Sequence, residues 1–280
     1  MKPSPKPATP HAARTVQRRR TGVAAAEERD ELAVEEPLEI RVEGRPVAVT
    51  MRTPGHDEEL AAGFLLTEGV VARRADIAAI TPAAVKRGGG AEPNIVDVRL
   101  ARPEAVDFAR LTRHVFTASS CGLCGKATIA AVQVEHPALG PDEGPRVAAG
   151  VLAALPGKLG AAQETFQRTG GLHAAGLFSA DGRLLVLRED VGRHNAVDKV
   201  IGHALLSGRI ASSQVVLLVS GRVAFEIVHK ALTARIAFIA AISAPTSLAV
   251  DFARSGGQTL VGFLRDGRMN IYAGADRVAE

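Results

Sequence analysis

The sequence predicts an α/β protein built on a mixed or parallel sheet with helices on both faces, preceded by a smaller α+β unit. Two observations lead to this fold class. From residue 172 onward, short runs composed almost entirely of Val, Leu and Ile alternate with longer segments of helical periodicity. Strands that are apolar along their whole length are those covered on both faces. Between residues 38 and 51, by contrast, apolar and polar side chains alternate, as they do in half-exposed strands.

The predicted α+β unit begins with a β-hairpin. Residues 38–42 and 47–51 each alternate with a period of two, and the sequence EGRP at 43–46 supplies the turn between them. A helix is predicted over 56–66, after a Pro-Gly break, because its apolar residues fall on one stripe. A further strand is predicted over 95–100, so this part of the chain combines a small sheet with a helix.

The second half of the chain alternates strands with helices. Strands are predicted at 184–187, 215–219, 238–242 and 259–264, and helices at 196–206, 223–236 and 247–254. The strand that starts near residue 172 is joined to the next one by SADG at 179–182, which is too short for a crossover, so this pair is antiparallel. We therefore divide the chain into an α+β unit at 31–115 and a larger α/β domain at 116–280.

The formal net charge of +4 belongs to the N-terminal segment. Of the 34 basic residues, six precede the first acidic residue, Glu27, which leaves 28 basic against 30 acidic residues in the remainder. Residues 1–30 also contain four prolines and have no apolar periodicity, a composition typical of disorder. We predict a disordered basic tail. Its three consecutive arginines at 18–20 are followed by acidic residues rather than an apolar stretch, which argues against an export signal.

Composition excludes several classes of protein. The chain has no Trp and one Tyr, which argues against a nucleic-acid surface built on stacked aromatic side chains. Its longest apolar runs are far shorter than the roughly 20 residues of a membrane span. Two cysteines cannot form a disulfide framework, and their spacing suits a reducing compartment. These features predict a cytoplasmic protein that does not enter membranes.

The sharpest local motif contains both cysteines. Cys121 and Cys124 form a C-x-x-C that is bracketed by glycines and followed by Lys126, just before a predicted helix. A thiolate, the nucleophilic form of cysteine, is favoured by helix N-terminal amides and by a nearby ammonium group. The motif therefore predicts a reactive cysteine, although two buried cysteines that act only as small apolar residues would have the same sequence.

Three kinds of chemistry fit this motif. Two thiolates supply half of a closed zinc site, which two subunits could complete together. A zinc deaminase needs H-x-E before P-C-x-x-C; the letters occur at His56 and Glu58, but Ser120 replaces the proline. The third possibility is thiol redox or sulfur-carrier chemistry, in which one thiolate accepts a sulfur atom as a persulfide and needs no metal.

Polar residues also collect where predicted strands end. Residues 188–199 and Ser220-Gly221-Arg222 each follow a strand and enter a helix, a location that often forms ligand clefts and binds anions. Glu226 and His229 lie on the following helix, where Glu226 could also pair with Lys230. Near the C-terminus, Asp266-Gly267 predicts a hairpin turn, and the arginines that bracket it could bind a phosphate or a purine.

Together, these motifs resemble the FdhD/NarQ family, the formate dehydrogenase accessory sulfurtransferases. The resemblance covers about residues 35–275 and depends on several long motifs in the same order. They are CGLCG at 121–125, TGGLHAAG at 169–176, EDVGRHNAVDK at 189–199, SGR at 220–222 with FEIVHKA at 225–231, SAPTSLAV at 243–250 and LVGFLRDGRMNIY at 260–272.

The resemblance implies a sulfur carrier that acts as a sulfurtransferase. Such a protein accepts persulfide sulfur from a cysteine desulfurase and passes it to the molybdenum bis(molybdopterin guanine dinucleotide) cofactor before formate dehydrogenase receives that cofactor. The persulfide position falls on Cys121, and Cys124 matches the second cysteine of the family. The cofactor-contact stretch falls on Phe263, Leu264, Arg265, Asp266, Gly267 and Arg268.

The resemblance also implies a cytidine-deaminase-like fold without the deaminase zinc site or any other intrinsic metal, and a homodimer. The absence of a proline before Cys121 agrees with this. Two positions depart from the family pattern: Ala224 replaces an expected small polar residue such as Ser, and Arg235 replaces an expected Gly. The alternatives of a different class are a molybdenum-cofactor-binding chaperone without sulfur transfer and a zinc-dependent deaminase-like hydrolase.

Overall fold

The computed structural model describes residues 9–82, 94–105 and 137–280. Cys121, Cys124 and the predicted boundary at 115/116 lie outside these residues. The described strands are β1 (His11–Arg18), β2 (Ala26–Ala33), β3 (Glu36–Val42), β4 (Arg45–Arg52), β5 (Ile77–Pro82), β6 (Ile95–Leu100), β7 (Val147–Ala148), β8 (His173–Ser179), β9 (Leu184–Asp190), β10 (Val215–Val219), β11 (Phe238–Ala241), β12 (Thr259–Arg265), β13 (Arg268–Ala273) and β14 (Val278–Ala279). The described helices are α1 (Asp57–Thr67), α2 (Ala149–Ala162), α3 (Glu164–Thr169), α4 (Arg193–Ser207), α5 (Phe225–Thr233) and α6 (Ser247–Ser255).

The N-terminal segment differs from the predicted disordered tail. Strands β1 and β2 form an antiparallel hairpin in continuous register from His11↔Ala33 to Arg18↔Ala26. The acidic side chains that argued against an export signal are in register with the basic strand, and Arg18 forms ion pairs with Glu28 and Asp30. Composition alone did not predict this pairing, because neither strand alternates apolar with polar side chains.

The small N-terminal sheet has the order β4-β3-β6-β5. Strands β3 and β4 form the predicted antiparallel hairpin, and β6 lies parallel to β3 on its other side. Helix α1 covers this sheet, and its side chains Leu60 and Leu65 are fully buried against apolar residues of the strands. One hydrophobic cluster includes these residues and much of the larger sheet, so the two units share a core.

The larger sheet has six strands in the order β13-β12-β11-β10-β8-β9. Strands β10, β11 and β12 are parallel, whereas β8 is antiparallel to both β10 and β9, and β13 is antiparallel to β12. Alternate residues of β10 face opposite cores: Leu217 packs with the cluster of α4, α5 and α6, and Leu218 packs with the cluster of α2. The predicted fold class is confirmed: a mixed sheet flanked by helices, with a smaller α+β unit.

Helices α1 and α4 cross in direct backbone contact. A Cβ atom added to Gly63 would lie 1.8 Å from the carbonyl oxygen of Asp198, and one added to Gly202 would lie 1.8 Å from that of Glu59. Nearby, Arg188 on β9 donates two hydrogen bonds to Glu59, at 2.6 and 2.8 Å. This crossing fixes the small unit against the larger sheet.

No helix within the described residues is long and apolar enough to cross a membrane.

Candidate functional site

One edge of the larger sheet gathers the polar motifs of the sequence. Strands β9 to β12 all run in one direction, so their carboxyl ends lie at the same edge, together with the first residues of β8 and β13. We call this the carboxyl edge. In sheets of this kind, ligands bind where strands end and loops diverge.

A buried ion pair holds the turn from β9 into α4. Asp190, the last residue of β9, is inaccessible to solvent, and its Oδ2 lies 2.7 Å from Nζ of Lys199. Its Oδ1 accepts hydrogen bonds from the amide of Gly192 at 2.8 Å and from Asn195 at 3.0 Å. Lys199 donates a further hydrogen bond to the carbonyl oxygen of Thr53 at 2.9 Å. The network therefore positions the start of α4 and ties it to the N-terminal unit.

A second buried ion pair joins α4 to α5. Nζ of Lys230 on α5 lies 2.8 Å from Oδ2 of Asp198 on α4, and Thr67 on α1 donates to Oδ1 of Asp198 at 2.9 Å. Burial would lower the pKa of Lys230, but the carboxylates of Asp198 and Glu68 outweigh it and raise that pKa above its ordinary value. Lys230 is therefore charged, and this pair joins three helices.

Four neighbouring residues face the carboxyl edge beside these networks. His173 begins β8, Arg193 begins α4, and Gly221 and Arg222 follow β10. A Cβ atom on Gly221 would lie 3.2 Å from Nδ1 of His173 and 3.9 Å from Cβ of Arg193, so the residues converge. Burial lowers the pKa of His173, and the guanidinium groups of Arg193 and Arg222 lower it further. His173 is therefore neutral at pH 7, and the charge here comes from the two arginines.

His194 lies directly behind this cluster. It is 5% exposed, and its Nε2 has no hydrogen-bond partner among the described residues. Burial, followed by the charges of Arg193 and Lys230, lowers its pKa to about 3. The ring is neutral and adds no charge of its own.

The predicted cofactor-contact stretch is a hairpin turn at the same edge. Arg265 pairs with Arg268 across a two-residue turn in which Asp266 and Gly267 have φ of 53° and 70°, the left-handed conformation that such turns require. The Asp-Gly pair therefore forms the predicted hairpin. Arg265 and Arg268 are both exposed, so the turn presents two guanidinium groups to solvent.

Strand β12 is irregular just before this turn. Phe263 has φ of 51°, and the register between β12 and β13 shifts between Gly262 and Arg265. Leu264 is fully buried in the core, whereas the ring of Phe263 is exposed and lies 5.7 Å from the Arg265 guanidinium. The irregularity therefore turns one aromatic ring outward, while Leu264 anchors the strand and is structural.

Short contacts connect the two halves of the carboxyl edge. Val223, next to Arg222, forms a bridge with Pro245. A Cβ atom on Gly262 would lie 2.8 Å from Pro245, and the amide of Phe263 donates to the carbonyl oxygen of Ser243 at 3.0 Å. The loop at 243–246 thus lies between the His173 cluster and the C-terminal turn.

The other candidates from the sequence have structural partners. His229 packs beside Phe225 and Phe252, at ring distances of 5.7 and 6.0 Å. Lys230 forms its shortest ion pair with Asp198, not with Glu226 as its helical spacing predicted. The zinc-deaminase alternative used His56 and Glu58 as its H-x-E motif, and both side chains are exposed. The described residues contain no group of three or more candidate metal ligands.

Some residues of the site were not identified from the sequence. His173 lies within the motif TGGLHAAG, but its role depends on its position opposite Asp190 in the antiparallel pair of β8 and β9. Thr53 and Thr67 belong to the other unit and reach Lys199 and Asp198 across more than 130 residues of sequence. No local pattern indicates such long-range contacts.

Comparisons with known proteins agree with these motifs. The family model described as the FdhD/NarQ family matches residues 33–279. The chain is 53% identical over 252 residues to a Streptomyces coelicolor protein named sulfur carrier protein FdhD, covering 89% of each chain. It is 54% identical to the Mycobacterium tuberculosis protein of the same name, covering 88% of this chain and 91% of the relative.

A solved structure has the same fold. The crystal structure of a Desulfotalea psychrophila protein, described there as a candidate formate dehydrogenase accessory protein, matches with a TM-score of 0.75 and 24% identity. The match covers 96% of this chain and all of the other chain. With the family model matching nearly the whole chain and relatives above 50% identity over most of its length, the chain belongs to the FdhD/NarQ family.

Proposed function

We propose that this protein is a sulfur carrier that loads sulfur on Cys121 and delivers it to a molybdenum cofactor on its way to formate dehydrogenase. The observation that carries the proposal is the identity of 53% over most of the chain to a relative named as a sulfur carrier. The glycine-bracketed pair Cys121 and Cys124 supplies the thiolate chemistry that such a role needs.

The loading step is a thiolate exchange. The Cys121 thiolate attacks the outer sulfur of a persulfide on a cysteine desulfurase, the sulfur–sulfur bond of that persulfide breaks, and the desulfurase cysteine leaves as a thiolate. Cys121 then carries the transferred sulfur as its own persulfide. No metal ion and no net electron transfer are required.

The delivery step needs two electrons, and Cys124 can supply them. Attack of the Cys124 thiolate on Sγ of Cys121 forms a disulfide between the two cysteines and releases the outer sulfur as hydrosulfide, the form that can bind a metal. A cellular dithiol reductant then restores both thiols. This assignment gives the second cysteine of the motif a resolving role.

The carboxyl edge suits the cargo. The proposed substrate, molybdenum bis(molybdopterin guanine dinucleotide), carries phosphates and guanine bases. The exposed stretch from Phe263 to Arg268 offers two guanidinium groups and an aromatic ring to such a ligand. Because Leu264 is buried in the core, we assign the contact to its exposed neighbours. We further propose that the protein acts as a homodimer in the cytoplasm.

Intact-mass analysis tests the sulfur-loading role. After incubation with a cysteine desulfurase and cysteine, we expect the wild-type protein to gain the mass of one sulfur atom, and Cys121→Ala to gain none. Cys124→Ala is the matched control and should still load sulfur, because only its resolving step is lost. Equal loading of the wild type and Cys121→Ala would overturn the assignment of Cys121.

The alternative role, a cofactor-binding chaperone without sulfur transfer, makes a different prediction. It requires Cys121→Ala to support the maturation of formate dehydrogenase as well as the wild type does. A sulfur carrier instead requires Cys121→Ala to bind the cofactor normally and to fail in maturation. Measuring formate dehydrogenase activity in cells that produce only the variant separates the two roles.

A further inference from the structure

We infer that strand β1 is a docking edge for a partner protein, which adds an extended acidic segment to the hairpin of β1 and β2 as a third strand. This N-terminal hairpin, residues 11–33, lies almost wholly before the match to the FdhD/NarQ family, which begins at residue 33. Membership of the family therefore does not account for it. The inference goes beyond the sulfur-carrier role and does not depend on it.

The outer edge of β1 is open. Within the described part of the chain, β1 and β2 form a sheet of two strands, and β2 is the strand that packs against helix α3. Five of the eight residues of β1 are exposed and none is buried, so the strand lies at the surface. An edge strand of this kind presents its outer backbone N–H and C=O groups to a strand from another chain.

The N-terminal hairpin has little support from the rest of the protein. None of its residues belongs to the hydrophobic clusters that the buried, described residues form. Its contact with the body includes Ala33, whose Cβ atom lies 3.5 Å from the position of a Cβ atom on Gly171. A two-stranded hairpin alone is only marginally stable in water, whereas three strands are more stable. A third strand would therefore stabilise this segment.

The charges of β1 determine which partner fits. Its charged side chains, Arg14 and Arg18, are both basic, and its titratable side chain, His11, can only add positive charge. Pairing β1 with β1 of a second copy would bring like charges together, which destabilises a sheet. A segment with acidic side chains would instead form opposite-charge pairs across the strands.

Arg14 is the residue best placed for such a pair. It is exposed, donates a hydrogen bond to the carbonyl oxygen of Ala13 at 3.0 Å, and forms no ion pair with a described residue. Arg18, by contrast, already pairs with Glu28 and Asp30. A third strand would lie about 4.8 Å from β1 but about 10 Å from the acidic strand β2, a distance at which salt screens exposed charges. Attraction to Arg14 therefore outweighs repulsion from β2.

The face that carries Arg14 defines the pattern of the partner segment. Alternate side chains of a strand share one face, so Val16 lies between Arg14 and Arg18, with Ala12 beside them. Leu32 of β2 is opposite Ala12 and is 42% exposed. This face thus offers two cations with apolar surface between them. An extended segment with Glu, an apolar residue and Glu at alternate positions is complementary to it.

Fluorescence polarisation of labelled peptides with the full-length protein tests the inference. The probe is the peptide TETVTET, which presents Glu, Val and Glu on one face. TKTVTKT reverses its charge, and TETPTET keeps its charge but has a proline that cannot donate to a strand ladder. We expect TETVTET to bind at least about fivefold more tightly than either control peptide. No binding of TETVTET, or equal binding of TETPTET, would overturn strand addition.

Reversing the charge at Arg14 locates the docking edge. Arg14→Glu should bind TETVTET about fivefold more weakly than the wild type and TKTVTKT more tightly, because the cross-strand charge pair is reversed. Arg209→Glu is the matched control: Arg209 is exposed, follows α4 and lies outside the hairpin, so this variant should bind both peptides like the wild type. An unchanged peptide preference of Arg14→Glu would overturn the assignment to β1.

Hydrogen exchange of the wild-type protein keeps the test decisive even if Arg14→Glu disturbs the hairpin, where Asp30 lies opposite residue 14. TETVTET should slow the exchange of backbone amides in β1. It should leave exchange in β13, the edge strand of the larger sheet, unchanged. Unchanged exchange in β1 would contradict strand addition.

The same measurement separates the other possible occupants. If a seven-nucleotide oligothymidylate slows exchange in β1 more than TETVTET does, the partner is a nucleic acid and the inference is wrong. If exchange in β1 slows as the protein concentration rises without any peptide, the occupant is a second copy of the chain, and the inference is again wrong.

Discussion

Two sets of side chains within residues 189–199 differ in whether they have a partner. Asp190, Asp198 and Lys199 point inward, and each has a charged partner within 2.8 Å. Arg193 and His194 lie between them in sequence, yet Nε of Arg193 and Nε2 of His194 have no hydrogen-bond partner among the described residues. The comparison teaches that one motif both holds the fold together, through buried side chains with charged partners, and carries polar atoms whose hydrogen bonds no described residue supplies.

The largest effect on stability is expected from removing one of the buried side chains that have a charged partner. Asp198→Asn removes the closer counter-ion of Lys230 and leaves the buried ammonium group with only the carboxylate of Glu68, 3.9 Å away. We expect the free energy of unfolding to fall by about 3–5 kcal/mol, measured by urea denaturation. Asp251→Asn, an exposed position on α6, is the control and should change stability by less than about 0.5 kcal/mol. A small effect of Asp198→Asn would show that the pair does not hold the helices together.

The next largest effect is expected at the crossing of α1 and α4. Gly202→Ala places a Cβ atom 1.8 Å from a backbone oxygen of α1, which no side-chain rotation can relieve. We expect a loss of about 3 kcal/mol, the upper end of the range for overpacking. Gly157→Ala in α2 adds the same atom in open space and should instead stabilise the protein by up to about 1 kcal/mol. Equal effects of the two substitutions would contradict the tight crossing.

His194, whose Nε2 has no hydrogen-bond partner among the described residues, should make the free energy of unfolding depend on pH. The folded protein keeps His194 neutral down to about pH 3, whereas the unfolded chain binds the proton near the ordinary pKa of 6.5. The stability that neutral His194 confers is therefore complete above pH 6.5 and is lost as pH falls towards 3.

Between pH 7 and 5 we thus expect the wild type to lose about 2 kcal/mol more than His194→Gln, whose side chain does not titrate. Urea denaturation of both proteins at the two pH values measures this difference. Identical losses in the two proteins would show that His194 titrates normally in the folded state.

The smallest effect on stability is expected at the N-cap of α5, the second helix that starts at the carboxyl edge. Ala224 is the N-cap of α5 and offers no side-chain hydrogen bond, whereas Thr246 caps α6 by accepting from the amide of Ala249 at 3.3 Å. Ala224→Ser should stabilise the protein by about 1 kcal/mol, and Thr246→Ala should destabilise it by about the same amount. Thermal unfolding of both variants measures the two shifts. A decrease in stability for Ala224→Ser would mean that this backbone cannot use a cap.

The sequence predicted the fold well because its strands are short apolar runs between clear helical patterns. The strands at 95–100 and 215–219 match the structure residue for residue, and the linker at 179–182 correctly predicted an antiparallel pair. The hairpin of β1 and β2 was missed, because neither strand has the alternation of apolar and polar side chains by which a half-buried strand is recognised.

The site was predicted in part. The segments at 188–199 and 220–222 were expected at strand ends, and the structure brings them together at one edge. The sequence could not separate the inward from the outward residues, because that depends on partners such as Thr53 in the other unit. The assignments of Cys121 and Cys124 stay predictions, because these residues lie outside the described ranges.

The departure at Arg235 also has a physical explanation. Arg235 follows α5 with φ of 58°, a conformation that glycine adopts without strain, which explains why Gly was expected there. In this chain its guanidinium binds Glu143 at 2.5 and 2.7 Å and donates to the carbonyl oxygen of Pro137. The side chain thus connects the end of α5 to a preceding loop, a contact that glycine could not make.

The crossing of α1 and α4 limits how this protein can change. The atom that a side chain at Gly63 or Gly202 would strike is a backbone carbonyl oxygen, which every residue type carries. No second substitution on the opposite helix can therefore make room for a larger residue at either position. The two glycines are independent requirements, and the chain can relax neither of them without moving a whole helix.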